Sequence, residues 1–386
     1  MMISNWPRLE AADRCRSTPT LLLAAALSAA ILAISGDGAQ ASDQLQWHRI
    51  EPKDVEGQGW PDVQSPFDRL PAKAEGLVKD RVWALARHTS GLNVQFSTNA
   101  KSIWVRWTVS NERLAMSHMP ATGVSGVDLY VKRGNVWLFA AAGRPSAYPT
   151  NEVRLVRGSG MRAARYRLYF PLYNGVTSLE VGVDAQATFK VEPPRTSPPI
   201  VFYGTSITQG GCASRPGMSY VAILGRRLDV PVLNLGFSGS GKAEPEVARL
   251  VAELDPSALV LDPLGNLFPS EVSERLPHFI EVIRQSHPEL PILLNENLYY
   301  PTTAIDAARE NRVNDSNRRL QEILRQRHAE GDRWIEIIPA SNLTLLDGDG
   351  TVDGTHPTDL GMKLMANALE PSLRRALEHR VGGVRE

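Results

Sequence analysis

The sequence is poor in cysteine and has no excess of either charge. Only two cysteines, Cys15 and Cys212, occur among 386 residues, so disulfides provide no framework and hydrophobic cores must stabilise the fold. Lysine plus arginine and aspartate plus glutamate each number 42, which gives a formal net charge of zero. With this balance, and with no basic arm or RNA-binding motif, the sequence argues against nucleic acid as a partner.

The residue spacings that are typical of metal and nucleotide sites are also missing. The eight histidines show no HExxH or paired-ligand spacing. The segment 236–242 resembles a nucleotide-binding P-loop, but Ala243 stands where Ser or Thr would hold Mg²⁺. The acidic segment 347–353 resembles a calcium loop, but Val352 replaces its glycine and Thr358 its final glutamate. The sequence therefore predicts neither a metal nor another cofactor.

The first 41 residues predict an export signal. Three arginines precede an apolar run at residues 21–34, and the small-residue site Ala39-Gln40-Ala41 follows it. A retained membrane anchor is the alternative, but the run is shorter than the roughly 20 residues of a spanning helix. We predict cleavage near Ala41, which also removes Cys15. The mature protein is then periplasmic or extracellular, with no stable membrane span.

Residues 42–194 predict an all-β, jelly-roll-like sandwich domain. Residues 103–109, 165–170 and 179–183 show an alternation with a period of two, which is typical of half-buried antiparallel strands. A hairpin is predicted around Arg133-Gly134-Asn135. The prolines between residues 193 and 199 then form a stiff connector, which is a natural domain boundary.

Residues 195–386 predict an α/β domain with a parallel sheet. Continuous apolar runs alternate with helical stretches, a pattern typical of a sheet covered by helices on both faces. The runs lie at 200–203, 232–235, 258–261, 292–294 and 335–338, and the helices at 218–228, 245–254, 271–285, 307–328 and 361–377. Ligands of such sheets bind beyond the carboxyl ends of the strands, so the candidate site residues are those that follow the strands.

Candidate catalytic residues stand at these strand ends. Ser206 follows the first strand, and Asp353 precedes His356 by three residues after the last strand. At this spacing a carboxylate can hold one ring nitrogen while the other faces a nucleophile. The alternatives are that Ser206 only caps a helix and that Asp353 and His356 lie in a solvated turn. Because all three residues are expected at the same edge of the sheet, a catalytic role is favoured. Gly239 and Asn266 follow the second and third strands and can donate hydrogen bonds to an oxyanion.

These segments carry a family resemblance. Residues 204–208, Gly239, Asn266 and Asp353-x-x-His356 resemble the four motif blocks of the SGNH/GDSL hydrolase superfamily. The segment Gly126-Val127-Asp128-Leu129-Tyr130 resembles the signature of its GDSL-like acylhydrolases with an N-terminal GxDLY domain. The segments 65–71 and 211–218 are similar to that subfamily as well. The sequence departs from the superfamily pattern at two positions. Thr205 stands where the motif name GDSL has Asp, and Leu267 follows Asn266 where the pattern has Asp.

The resemblance implies a fold and a set of roles. The fold is a flavodoxin-like three-layer α/β/α sandwich. Ser206 is the nucleophile, His356 the base and Asp353 the residue that orients it. The Ser206 and Gly239 N–H groups and the Asn266 side chain form the oxyanion hole.

The combined features predict a secreted serine esterase that hydrolyses acetyl or other carboxylic esters, with carbohydrate as the expected substrate. The alternatives are a lipase or lysophospholipase type of acylhydrolase and a non-catalytic carbohydrate-binding protein on the same fold. Arg215, close after Ser206, is a candidate substrate contact or a cap of the following helix. The sandwich domain either binds glycan or completes the wall of the active site.

Overall fold

The computed structural model describes residues 44–158, 162–343 and 347–382. The predicted export signal, residues 1–41, lies outside these residues. No helix within the described ranges is long and apolar enough to cross a membrane. The chain from Asp43 onward forms one compact unit, so the domain boundary between residues 194 and 195 stays a prediction.

The described residues before the prolines form antiparallel strands and two short α-helices. The helices are α1 (Asp80–Ala86) and α2 (Ala121–Val124). The strands are β1 (Leu45–Arg49), β2 (Val55–Glu56), β3 (Asn93–Thr98), β4 (Ser102–Val109), β5 (Val127–Arg133), β6 (Val136–Gly143), β7 (Thr150–Arg157), β8 (Ala164–Tyr169), β9 (Val176–Asp184) and β10 (Phe189–Val191).

These strands form two antiparallel sheets with a shared core. One sheet has the order β1-β9-β4-β7, and the other has the order β10-β3-β8-β5-β6, with β2 paired to β3. Alternate side chains of β4, namely Ile103, Val105, Trp107 and Val109, are at most 1 % exposed and belong to one hydrophobic cluster. Strands β5 and β6 form the predicted hairpin, with Gly134 at a φ of +56° in the turn. The prediction of antiparallel β-structure before the prolines is therefore confirmed.

The second part is a five-stranded parallel sheet. Its strands are β11 (Ile200–Gly204), β12 (Val232–Gly236), β13 (Ala258–Asp262), β14 (Ile292–Asn295) and β15 (Ile335–Ile338), in the order β12-β11-β13-β14-β15. This is the flavodoxin-like order, in which the chain runs first to one side of the initial strand and then to the other. The resulting crevice lies at the carboxyl end of β11, immediately before Ser206.

Helices cover both faces of this sheet, which confirms the predicted three-layer α/β/α fold. They are α3 (Ser206–Gln209), α4 (Tyr220–Leu228), α5 (Pro245–Ala252), α6 (Pro269–Ser286), α7 (Ala307–Ala329), α8 (Ala340–Leu343) and α9 (Asp359–Gly382). Apolar residues of α5 and α6 share one cluster with the sheet, and those of α4 and α9 share another. The five predicted helices begin within two residues of their observed starts, whereas the short α3 and α8 were not predicted.

The two parts of the chain pack tightly on each other. Trp60, Leu70 and Leu85 belong to the same cluster as β11 and α5, and Met119 and Val124 belong to the same cluster as α4. Because apolar side chains from both parts fill common cores, the β-rich part supports the surroundings of the sheet directly.

Candidate active site

Ser206 is the first residue of α3 and follows β11 after one intervening residue. Thr205 is the cap of this helix, because its Oγ1 accepts the N–H of Ile207 at 3.2 Å. The capping role that was the alternative for Ser206 therefore belongs to its neighbour. The turn is tight: a Cβ on Gly204 would lie 2.2 Å from Thr208 Oγ1 and 2.7 Å from the carbonyl oxygen of Asp262. This packing leaves Ser206 half-buried at the edge of the sheet, with its hydroxyl free of the capping contact.

The structure brings Ser206, His356 and Asp353 into one hydrogen-bonded chain. Ser206 Oγ lies 2.9 Å from His356 Nε2, and His356 Nδ1 lies 2.8 Å from Asp353 Oδ2. The other carboxylate oxygen accepts the N–H groups of His356 at 2.8 Å and of Thr355 at 3.0 Å. Burial raises the pKa of Asp353, but hydrogen bonds from His356 and Thr355 outweigh it and hold that pKa below its usual value. The carboxylate is therefore charged and fixed in a position that orients the ring.

Arg309, at the start of α7, holds the loop that carries Asp353 and His356. Its Nη2 donates to Thr355 Oγ1 at 2.8 Å and to the Gly354 carbonyl oxygen at 3.4 Å. The guanidinium also stacks on the ring of Tyr300, 4.3 Å from the centroid. The sequence offers no local signal for this contact, because Arg309 lies about 45 residues before the loop it supports.

Gly239 lies in the loop after β12 and has a φ of +69°, a backbone conformation that favours glycine. Within the described part of the chain its N–H donates to no protein acceptor, so it is available to a ligand. The preceding residue is fixed, because the Ser238 N–H donates to Gln209 Oε1 at 3.0 Å. Helix α3, which begins at Ser206, therefore holds this loop through Gln209.

Asn266 lies on the other side of the same loop. Its Nδ2 donates to the carbonyl oxygen of Gly241 at 3.3 Å, which leaves the second amide hydrogen for another acceptor. Gly241 itself packs against β11, since a Cβ there would lie 1.9 Å from the Gly204 carbonyl oxygen. The structure thus joins Asn266, the loop after β12 and the strand before Ser206 through direct contacts.

A buried polar network, which the sequence did not predict, lies behind this loop. Gln209 Nε2 donates to His88 Nδ1 at 3.1 Å, so the ring is neutral with its proton on the other nitrogen. Burial, together with Arg69 and Arg81, lowers the pKa of His88 to about 3. Arg69 is 1 % exposed and donates to the carbonyl oxygens of Asn234 and Gly236 at the end of β12. The β-rich part of the chain therefore fixes the end of the strand that precedes Gly239.

Arg215 contacts the signature segment of the β-rich part. Its Nη1 donates to Asp128 Oδ2 and to the Tyr130 hydroxyl, each at 2.7 Å, and its guanidinium lies 3.8 Å from the centroid of the Phe139 ring. The side chain makes no capping hydrogen bond to the short helix Pro216–Met218. Asp128 is fully buried, so Arg215 serves as its counter-ion. A contact between Arg215 and substrate stays a prediction.

His118 and Cys212 lie next to His356. The ring centroids of His118 and His356 lie 5.6 Å apart, and Cys212 Sγ donates to the carbonyl oxygen of His118 at 3.2 Å. Cys212 is buried and has a φ of +67°. Burial and the charge of Asp353 raise the pKa of the Cys212 thiol to about 12, so the thiol is protonated at neutral pH. Neither residue was a predicted site residue.

Two family models match the chain. A model of the GDSL-like lipase/acylhydrolase family matches residues 197–374, and a model of the GxDLY N-terminus of SGNH-hydrolase-type esterases matches residues 45–189. A solved protein from Bacteroides ovatus, described as a GDSL-like lipase, is 32 % identical. The match covers 86 % of this chain and 98 % of that one, with a TM-score of 0.81. The chain belongs to the GDSL-like lipase/acylhydrolase family, as the motifs predicted, and is an ester-hydrolysing enzyme.

More distant structures share the fold. The salicylyl-acyltransferase SsfX3 from a tetracycline biosynthetic pathway is 19 % identical, with 85 % of this chain and 97 % of that chain covered and a TM-score of 0.68. An acetyl xylan esterase, Est2A, from the rumen bacterium Butyrivibrio proteoclasticus is 14 % identical, with 86 % and 99 % covered and a TM-score of 0.53. A comparison with curated proteins gives no match.

Proposed function

We propose that the protein is an exported serine esterase that hydrolyses acetyl esters on carbohydrate. The observation that carries this proposal is the continuous hydrogen-bonded chain from Asp353 through His356 to Ser206, with distances of 2.8 and 2.9 Å. A hydroxyl, an imidazole and a carboxylate in this order are the parts that nucleophilic acyl transfer requires.

The reaction proceeds in two acyl transfers. His356 takes the proton of the Ser206 hydroxyl as Oγ attacks the ester carbonyl carbon, and Asp353 stabilises the imidazolium that forms. The tetrahedral intermediate collapses, the C–O bond to the alcohol breaks, and His356 gives the proton to the leaving oxygen. Water then attacks the acyl-enzyme by the same proton transfer, which releases the carboxylic acid and restores Ser206.

The oxyanion is held by the Ser206 and Gly239 N–H groups and by Asn266 Nδ2. Two features support this assignment. The Gly239 N–H has no protein acceptor among the described residues, and the contacts of Ser238 and Gly241 fix the loop on either side of it. Donors that are positioned before the reaction stabilise the developing charge without reorganisation, which is the usual main source of rate enhancement.

The substrate class is supported by two features. Export, proposed for residues 1–41, brings the enzyme into contact with extracellular glycans rather than metabolites. In addition, a relative with the same fold is an acetyl xylan esterase. N-terminal sequencing of the exported protein tests the leader and should give Ser42 as the first residue.

The test compares the wild-type protein with Ser206→Ala and with Ser270→Ala, an exposed serine on α6 that serves as a matched control. Acetate release is measured from acetylated xylan, pectin and chitin-type oligomers, and hydrolysis rates from p-nitrophenyl esters of increasing chain length. We expect release of acetate, a preference for short acyl chains, and background activity for S206A alone. Full activity of S206A would refute the proposed nucleophile.

The other candidate functions predict different results in the same assays. A lipase-type acylhydrolase would prefer long acyl chains. A non-catalytic carbohydrate-binding protein would bind glycan but would not react with a fluorophosphonate probe at Ser206. An acyltransferase would consume the ester faster when an acceptor alcohol is added and would form a new ester instead of free acid.

A further inference from the structure

Four side chains with metal-ligating atoms converge beside Ser206, and two of them have no part in the proposed acyl transfer. They are His118, Cys212, Asp353 and His356, and one ligand atom from each lies within 4.8 Å of all the others. His118 comes from the β-rich part, between β4 and α2, whereas the other three lie beyond strands of the parallel sheet. The spacing along the chain gave no signal of this cluster, because its members extend from residue 118 to residue 356.

We propose that this cluster binds a thiophilic divalent cation, Zn²⁺ foremost, and that the bound ion inhibits the esterase reversibly. Two imidazoles, a thiolate and a carboxylate are the ligand types that zinc takes in four-coordinate sites. Zinc bonds of about 2.0–2.3 Å separate the ligand atoms of a tetrahedral site by roughly 3.3–3.8 Å. The four side chains therefore need to close by on the order of 1 Å to complete the site.

This closure involves His118 and Cys212. His118 is half-buried, and its ring lies 5.6 Å from that of His356 at a tilt of 35°. The proposal requires the side-chain torsions of His118 to change so that a ring nitrogen approaches the other ligands. The Cys212 thiol donates to the His118 carbonyl oxygen, and this hydrogen bond is lost when the thiol gives up its proton to bind the ion. When the ion binds, water leaves the metal and the thiol proton passes to solvent, so the exchange is balanced.

Inhibition follows from the use of His356 as a ligand, and this consequence rests on the proposed function. If the metal occupies Nε2, the lone pair that receives the Ser206 proton is no longer available. If the metal occupies Nδ1, the ring proton resides on Nε2, which then cannot accept another. In either case His356 no longer acts as a base. Binding of the ion itself does not depend on the proposed function.

The experiment measures binding and inhibition separately. Zn²⁺ binding to the mature Ser206→Ala protein is measured by competition with a chromophoric chelator, because this variant keeps all four ligands. Co²⁺ then replaces Zn²⁺, and the thiolate-to-cobalt charge-transfer band reports on Cys212, the one cysteine left after cleavage. We expect one ion per chain, binding at least about tenfold weaker in His118→Ala and in Cys212→Ser, and no cobalt–thiolate band in C212S.

Inhibition is measured with the wild-type protein and its single variants. Zn²⁺ should reduce the esterase rate, a chelator should restore it, and the inhibitory concentration should rise at least about tenfold in H118A and C212S. The control is His278→Ala, which removes an exposed histidine of α6 and should leave the inhibitory concentration unchanged. Circular dichroism checks that each variant is folded.

Two results would overturn the inference. One is Zn²⁺ binding or inhibition of equal strength in wild type, H118A and C212S, and the other is the absence of a cobalt–thiolate band in metal-loaded S206A. Failure of the proposed function gives a different result, namely no ester hydrolysis by the metal-free wild-type protein. The two failures are therefore distinguishable.

Discussion

Replacement of Arg215 with alanine leaves a buried carboxylate without its counter-ion, and the contacts indicate how large the effect is. The Asp128 side chain is fully buried, and its Oδ2 accepts hydrogen bonds from Arg215 Nη1 at 2.7 Å and from the Gly217 N–H at 2.9 Å. Removal of one partner of a buried ion pair destabilises a protein by about 3–5 kcal/mol, because the remaining charge stays buried. We expect R215A to lose about this much unfolding free energy near pH 8.

The reverse substitution, Asp128→Asn, should be less damaging. It keeps the shape of the side chain and leaves Arg215, which is 19 % exposed and still contacts the Tyr130 hydroxyl and the Phe139 ring. We expect a loss of about 1–3 kcal/mol, the typical effect of an altered buried hydrogen bond. The double variant R215A/D128N should be more stable than R215A alone, because it contains no unpaired buried charge.

The loss in R215A should also depend on pH. Burial raises the pKa of Asp128 from 3.8 to about 6, although Arg215 and the Gly217 N–H oppose this shift. A carboxyl group with a higher pKa in the folded than in the unfolded protein binds more protons when folded. Its contribution to stability therefore falls as the pH rises from about 4 through 6. Without Arg215 the pKa of Asp128 rises further. The loss of unfolding free energy in R215A should therefore be smallest near pH 5 and largest near pH 8.

The assay is urea unfolding, followed by tryptophan fluorescence, of the wild type, both single variants and the double variant near pH 5 and pH 8. The reasoning predicts that R215A is the least stable of the four at pH 8. If R215A and D128N lost the same unfolding free energy at both pH values, Asp128 would not behave as a buried charge that needs Arg215. That result would refute the reasoning.

Two further predictions concern catalysis and are measured by steady-state kinetics. Asn266→Ala removes a proposed oxyanion donor and should lower kcat by about 10²–10³ with little change in KM; an unchanged kcat would exclude Asn266 from the oxyanion hole. Arg309→Ala releases Thr355 from the loop that carries His356 and should lower kcat by about 10- to 100-fold. Arg309→Lys should retain only part of the wild-type rate, because lysine lacks the planar guanidinium that stacks on Tyr300. A change in KM alone for R309A would contradict this positioning role.

The fold could be predicted because its signals are local. An alternation with a period of two fixes which side chains of β4 face the core, and continuous apolar runs identify β11 to β15 without knowledge of their partners. The strand ends then direct attention to Ser206, Asp353 and His356, since ligands of parallel sheets bind at that edge. Pattern and topology together were sufficient to predict that these three residues meet.

The supporting contacts could not be predicted, because each joins segments that are far apart in sequence. Asp128 was recognised as part of a signature, but nothing local shows that its partner is Arg215, 87 residues later. Gln209 and His88 are joined over 121 residues, and His118 and Cys212 over 94. A single polar residue carries the same sequence signal whether it is solvated or buried against a distant partner, so only the folded chain distinguishes the two cases.

These distant contacts indicate that the β-rich part supports the segments of the parallel-sheet part that carry the proposed catalytic groups. Arg69 satisfies the carbonyl oxygens at the end of β12, where a buried acceptor without a partner costs about 1–3 kcal/mol. Asp128 fixes Arg215 and the Gly217 N–H in the segment after α3, and His118 borders His356. Each contact acts on the end of a strand of the parallel sheet or on a segment that follows one, where the proposed catalytic groups lie. The parallel sheet without the β-rich part would therefore retain the three triad residues in its sequence but not the contacts that hold their surroundings in place.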